Sequence, residues 1–282
     1  MRMALAVVLA ASTPPVVAQA PGEGFRFTGV PTQGGLLAAE APPGSVSVEL
    51  RVPGAAAAPV MLANGRFVVG FDRDAGPVAE LVATMSDGRE VRRVLSVAPR
   101  AWPTQRVDAP LRAGRTTAEF DALRPGELAR IAAARAVETG ASGWRERMRW
   151  PATGRLSGAF GAQRIYRGVP GSFHSGADVA LPTGAPVVAP AGGVVVLAAD
   201  PARPFTLEGV LLIVDHGGGL SSAFLHLSRI DVALGERVTA GQRIGAVGAT
   251  GRATGPHLHW GLRWRNARLD PLLVAGAMVP QN

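Results

Sequence analysis

The segment GPHLHWGL, residues 255–262, sets two histidines one residue apart in a short apolar run bounded by Gly255, Pro256 and Gly261. In a strand, side chains alternate between faces, so His257 and His259 point one way while Leu258 and Trp260 point the other. Two imidazoles converging from one rigid strand suggest a metal site. A lone H-x-H pattern is weak, because paired histidines are often satisfied polar groups at a sheet edge. The other histidines carry the decision, and all five in the 282-residue chain fall in its second half.

Length and composition set the frame. A chain of 282 residues is enough for more than one domain, and 47% hydrophobic against 18% charged residues allows a substantial core. Net charge is +8, and every basic residue is arginine. A cationic surface favours an anionic partner such as nucleic acid, anionic lipid or acidic cell wall. Richness in alanine, glycine, proline and arginine without lysine also reads as a biased genome composition, so the charge has little weight. Aromatics are 5% and do not interleave with basic clusters, which argues against a nucleic-acid platform. Cysteine is absent, which excludes disulfides, thiolate catalysis and cysteine-ligated zinc, so any metal is held by nitrogen and oxygen.

The opening MRMALAVVLAASTPPVVAQA, residues 1–20, has Arg2, an apolar stretch and small residues ending Ala18-Gln19-Ala20. These are the parts of a secretory signal peptide with an A-x-A cleavage site. The apolar stretch is short of the ~20 residues that span a bilayer, and no later segment is a membrane-spanning candidate. The reading is an exported protein of the periplasm or cell envelope, without stable membrane insertion.

The fold expected is mainly β. Residues 21–108 show alternating runs with Asn64-Gly65 and Asp87-Gly88 between strand-like flanks, pairs that suit type I′ hairpin turns. They predict a β-sandwich accessory domain, which holds no histidine. Residues 109–150 form a linker with a helix in RPGELARIAAARAVETG, with Pro125 near its first turn, Leu128 and Ile131 one turn apart, and Gly140 as a stop. Residues 151–282 return to β runs broken by Gly and Pro, predicting an antiparallel sheet or two packed sheets.

The chemistry gathers in this last part. FHSGADVALPTG supplies His174 and Asp178, whose separation of four puts both on one face, and Gly176 with the following Val-Ala-Leu-Pro favours extended backbone. Catalytic zinc takes three protein ligands and leaves one position for water, whose pKa it lowers to about 7. His174, Asp178 and His259 could fill those three positions. His257 would then stand beside the metal as a candidate general base. His226, in SAFLHLS, reads either as a hydrogen-bonded core histidine or, near His257, as a donor to the oxyanion formed when water attacks a carbonyl. His216, before a glycine turn, reads as structural.

The ordered set HSGAD, VDHGGGL, FLHLS, GERVTAGQRIGAVGATG and TGPHLHWGL resembles the lysostaphin/LytM-type zinc metallopeptidases, which cleave peptide bonds of peptidoglycan. The resemblance covers roughly residues 154–271. It implies a C-terminal antiparallel β metallopeptidase domain, Zn2+ as cofactor, peptidoglycan as partner, His174, Asp178 and His259 as metal ligands, and His257 and His226 as catalytic residues. The implied activity is a zinc-dependent endopeptidase on peptide cross-links, with a D,D-endopeptidase as the first expectation. Many members have tyrosine two residues before the catalytic histidine, where this chain has Phe224. Tyr166, the only tyrosine, could assist the transition state or serve a packing role.

Two other readings compete. GERVTAGQRIGAVGATG is also similar to the hairpin of biotinyl and lipoyl carriers, but those need a lysine and there is none. A non-catalytic wall-binding or regulatory protein that activates other wall hydrolases is the alternative. Such a family member should lack one of the five site positions, and this chain lacks none.

Overall fold

The computed structural model of the protein describes residues 24–108 and 117–278. The expected signal peptide, residues 1–20, lies outside the described residues. Strand is the dominant element.

Two small antiparallel sheets come first. One orders the strands Arg26–Thr28, Leu36–Glu40 and Arg66–Gly70, and the other orders Ala58–Val60, Ser45–Arg51, Val78–Met85 and Glu90–Ser96. Alternation in SVSVELR places Val48 and Leu50 in the core while Ser47 stays exposed. Both sheets feed one buried apolar cluster that includes Leu37, Phe67, Val48 and Leu81. Asn64 and Gly65 both have positive φ, and Ala63 and Arg66 exchange backbone hydrogen bonds across them, as a type I′ turn requires. At Asp87-Gly88 only Gly88 has positive φ. That turn is therefore not type I′: the hairpin closes through a longer loop in which Met85 N–H bonds the carbonyl of Arg89, and Arg89 donates to the Asp87 carboxylate.

The second half is built on an eight-stranded antiparallel sheet. Its order is Arg237–Val238, Gly193–Ala198, Val210–Gly217, Leu220–Leu227, His257–Trp264, Ala177–Ala180 and Arg155–Gly158, with Ala267–Leu269 also paired to His257–Trp264. The strand Val210–Gly217 is buried at every position. Its alternate residues enter two clusters: Val210, Leu212 and Val214 join the main core, while Leu211 and Ile213 meet the helix on the other face. Coverage on both faces is why this run shows no alternation in sequence. Trp260, fully buried, stacks edge-to-face on Trp150 at 5.4 Å and anchors the core side of the His257–Trp264 strand.

Three features depart from the sequence reading. The helix spans Ala118–Arg135, beginning seven residues before Pro125, so the proline is internal rather than in the first turn. Thr117 caps it by accepting from Phe120 N–H at 3.1 Å. Packing outweighs the lost proline hydrogen bond: Ile131 and Ala134 bury against Leu197, Leu211 and Ile213, and Arg124 grips Glu208 through both carboxylate oxygens. Second, the helix stops at Arg135, ahead of Gly140; the chain beyond is tied down where Thr139 donates twice to buried Asp215. Third, the strand Thr104–Val107 pairs in parallel with Gln163–Tyr166, which in turn pairs with Val169–Phe173. Residues before the helix thus enter a small sheet just ahead of His174.

Candidate metal centre

The register of the sheet assembles the site. Asp178 and His259 stand directly opposite each other on adjacent antiparallel strands, and Ala180 faces His257. Opposed residues in such a pair share a face at about 5 Å. His174 follows the strand Val169–Phe173 and reaches in from the side. The three ligand atoms converge: His174 Nε2 lies 3.0 Å from Asp178 Oδ1 and 3.1 Å from His259 Nδ1, and His259 Nδ1 lies 2.8 Å from Asp178 Oδ1.

The hydrogen-bond partners of the rings indicate what belongs between them. His174 Nδ1 lies 3.1 Å from the carbonyl of Ala159, which can only accept, so Nδ1 carries the hydrogen and Nε2 of the neutral ring is a bare lone pair. A lone pair facing a carboxylate at 3.0 Å repels it unless a proton or a cation lies between. The separations are also near the ~3.4 Å that tetrahedral ligands at about 2.1 Å from zinc span. A nitrogen, nitrogen, oxygen donor set of this shape suits zinc, and among the described residues these three form a group whose ligand atoms lie close enough together to hold a metal ion.

Electrostatics agree. Burial would raise the Asp178 carboxyl, but its bonds to His174 and His259 and their charges hold it far below the usual carboxylate range. Burial would lower His174, and the hydrogen bond and charge of Asp178 outweigh it, leaving that pKa raised. Burial dominates at His259 and holds its pKa down.

The other two imidazoles stand beside this group. His257 Nδ1 donates to the carbonyl of Gly255 at 2.8 Å, leaving Nε2 as a lone pair 3.8 Å from Asp178 Oδ1. His226 Nδ1 donates to the carbonyl of Thr250 at 2.8 Å, and the ring centroids of His226 and His257 are 4.8 Å apart. By strict alternation His226 would face away, since Leu225 is the residue paired with His259. A bulge, in which Leu225 and His226 together oppose Leu211, and a φ of 62° at His226 turn its ring back to the site. Left-handed backbone at a non-glycine residue costs roughly 1 kcal/mol or more and clusters at functional sites. Burial, the largest influence, lowers the His226 pKa, so its resting ring is neutral.

His216 is elsewhere. Fully buried, it donates from Nδ1 to Gly192 O and accepts at Nε2 from Ser222 Oγ, which itself accepts from Trp260 Nε1. The ring of Tyr166 lies against Gly171. The sequence reading missed the supports of the site. Gly158 lies opposite Asp178, and a Cβ there would overlap the Asp178 carboxylate. The carbonyls of Ala159, Thr250 and Gly255 fix the ring tautomers, and Arg73, from the first half, donates to the carbonyl of Gly161 in the loop that cradles His174. A carbonyl carries no residue identity, so only glycine-rich punctuation around 248–255 hinted at tight backbone there.

An antiparallel β domain with an inward His-Asp-His group and two further imidazoles is that of a metallopeptidase. Residues 172–271 match peptidase family M23, and a peptidase M23 crystal structure from Pseudomonas aeruginosa superposes with a TM-score of 0.66 at 31% identity, covering 88% of this chain and 96% of that one. The chain belongs to peptidase family M23. Among curated relatives, the peptidoglycan DD-endopeptidase ShyA of Vibrio cholerae is 39% identical over 112 residues, which is 38% of this chain and 24% of that protein. The DD-carboxypeptidase/endopeptidase Mpg of Neisseria meningitidis is 37% identical over 102 residues, 36% of this chain and 23% of that protein. The matched part thus spans about a quarter of these relatives' length. Among the described residues no helix is long and apolar enough to cross a membrane.

Proposed function

We propose that this protein is a zinc metalloendopeptidase that hydrolyses peptide cross-links of bacterial peptidoglycan, with D,D-endopeptidase activity. The observation that carries the proposal is the convergence of His174 Nε2, Asp178 Oδ1 and His259 Nδ1 within 3.1 Å, lone pairs facing one another. These three residues hold the metal. Bound there, zinc supplies Lewis acidity for a scissile carbonyl and acidifies water.

The chain's own groups do the rest. His257, with Nδ1–H anchored on Gly255 O, offers Nε2 as general base and afterwards returns the proton to the leaving amine. His226 faces it across 4.8 Å. Because its Nδ1–H is committed to Thr250 O, Nε2 of the neutral ring only accepts, so stabilising an oxyanion requires His226 to take up a proton from solvent at Nε2 first. Phe224 lies in the core, fully buried, and adds no hydroxyl.

The proposed organisation is a signal peptide at 1–20, a β-sandwich accessory domain at 21–108, a linker with the helix at 109–150 and the metallopeptidase domain at 151–282. The protein is exported and works in the periplasm or cell envelope. Relatives named as peptidoglycan DD-endopeptidases support the substrate and the place. The test is digestion of purified peptidoglycan by the zinc-loaded chain, with mass analysis of released fragments, before and after a chelator and after zinc is restored. Cross-linked dimers should fall to monomers only with zinc. Activity that survives complete zinc removal, or intact cross-links throughout, refutes the proposal.

A further inference from the structure

Beside the metal centre, between the helix Ala118–Arg135 and the sheet, lies a cavity of about 260 Å3. Its floor is the sheet face that carries His259. There Leu225, Ala223 and Ser221 stand opposite His259, Gly261 and Arg263. Helix residues, Arg124 and Arg135 among them, form the other wall.

The charges in this cavity do not balance. Arg124 is satisfied, donating to both oxygens of Glu208 at 2.7 and 2.8 Å. Arg135 and Arg263 face the same cavity, and neither is hydrogen-bonded to a carboxylate among the described residues. Burial first, then the charge of Arg263, push the Arg135 pKa down to about 10 against the opposing charge of Glu208, so Arg135 is still cationic at neutral pH; burial and the charge of Arg268 lower that of Arg263, against Asp72. Two partly buried guanidiniums sharing one cavity are unfavourable until an anion joins them, and a carboxylate fits their planar forks.

The floor between them and the metal ligands is kept low. Gly261 has ordinary backbone, and a Cβ there would meet His259 Nε2 at 3.7 Å, a normal contact, so the fold does not require glycine. Its effect is to leave the passage from His259 to Arg263 open, flanked by the small side chains of Ala223 and Ser221. Four strand positions separate the two residues on one face, about 13 Å or some four residues of extended peptide.

We propose that this cavity is a substrate subsite for a carboxylate: Arg135 and Arg263 clamp an acidic group of the wall peptide whose scissile bond lies at the metal centre. The inference rests on the function proposed above and adds which substrate chemistry the site selects. Binding is tested directly by calorimetry on the zinc-loaded full chain, with N-acetyl dialanine and its C-terminal amide as probes. The acid should bind at least tenfold tighter than the amide, as charge-assisted pairing implies. Arg263→Gln and Arg135→Gln should each erase that preference while zinc content and amide affinity stay as they are. Equal binding of acid and amide to the unaltered chain, or no binding of either at millimolar concentration, overturns the subsite. So does a preference that survives both substitutions, which would place the carboxylate on the zinc. These readouts need no hydrolysis, so a chain that binds the acid through the arginines but cleaves no wall peptide would refute the peptidase reading alone.

Discussion

Arg73→Met tests whether the first half of the chain holds the metal centre in shape. Arg73 is 7% exposed. It donates from Nε to Gly161 O at 3.1 Å and from Nη2 to Gln163 Oε1 at 3.0 Å, and its guanidinium lies 4.7 Å from the ring of Phe173 and 5.3 Å from that of Trp102. Gly161 N–H in turn bonds His174 O, and His174 N–H bonds Ala162 O. Methionine keeps the apolar stem and removes the donors. Each hydrogen bond from a charged group contributes about 1.5 kcal/mol, and each ring contact about 0.5 kcal/mol. The ion pair to Asp74, whose side chain is 62% exposed, adds little. The loss is about 4 kcal/mol, which for a chain of this size lowers the thermal midpoint by roughly 10 °C.

Thermal unfolding followed by circular dichroism measures that shift, and zinc titration of the folded variant measures the site. Zinc affinity should fall about tenfold, as when supports of a metal ligand are removed. Val48→Ala, a cavity in the other sheet of the first half, serves as a control: it destabilises the chain and should leave zinc affinity unchanged. A midpoint drop under about 2 °C, an equal drop from Asp74→Ala, or the same zinc loss in the control would refute the reasoning.

Four further outcomes are expected. His259→Ala should abolish zinc uptake measured by metal analysis, whereas His226→Ala should keep zinc and lose rate by about 10² or more, as other oxyanion donors do; full activity in the second variant removes His226 from the mechanism. Gly158→Ala should weaken zinc binding at least about tenfold with a nearly unchanged midpoint, because the new methyl displaces the Asp178 carboxylate; unaltered zinc affinity counts against that. Zinc occupancy at fixed free zinc should fall with pH. The His174 pKa is raised above its ordinary 6.5, so the proton competes for Nε2 below the raised value, by about tenfold per pH unit once protonated; a flat profile from pH 8 to 5.5 refutes that competition. In the zinc-free chain the sign reverses: the His174–Asp178 pair adds stability present below about pH 6.5 and lost as pH rises through the raised value, and Asp178 lets it lapse again in strong acid.

The sequence alone determined the β character of both halves, the Asn64-Gly65 turn, and which three residues, His174, Asp178 and His259, converge. Those features are local where a strand carries them: alternation with period two lets H-x-H announce a shared face without any knowledge of the rest, whereas His174 stands outside the strand Ala177–Ala180 and meets Asp178 from the side. Only the tertiary structure decided how the helix sits, because burial of Ile131 and Ala134 overrode the preference of Pro125 for a first turn. It alone decided the direction of His226, which alternation would send into the core and a bulge with φ of 62° returns to the site. It alone joined Arg73 to the His174 loop and set Arg135 against Arg263. Such pairings join residues dozens of positions apart through backbone carbonyls and packing, and neither leaves a periodic trace in the order of side chains.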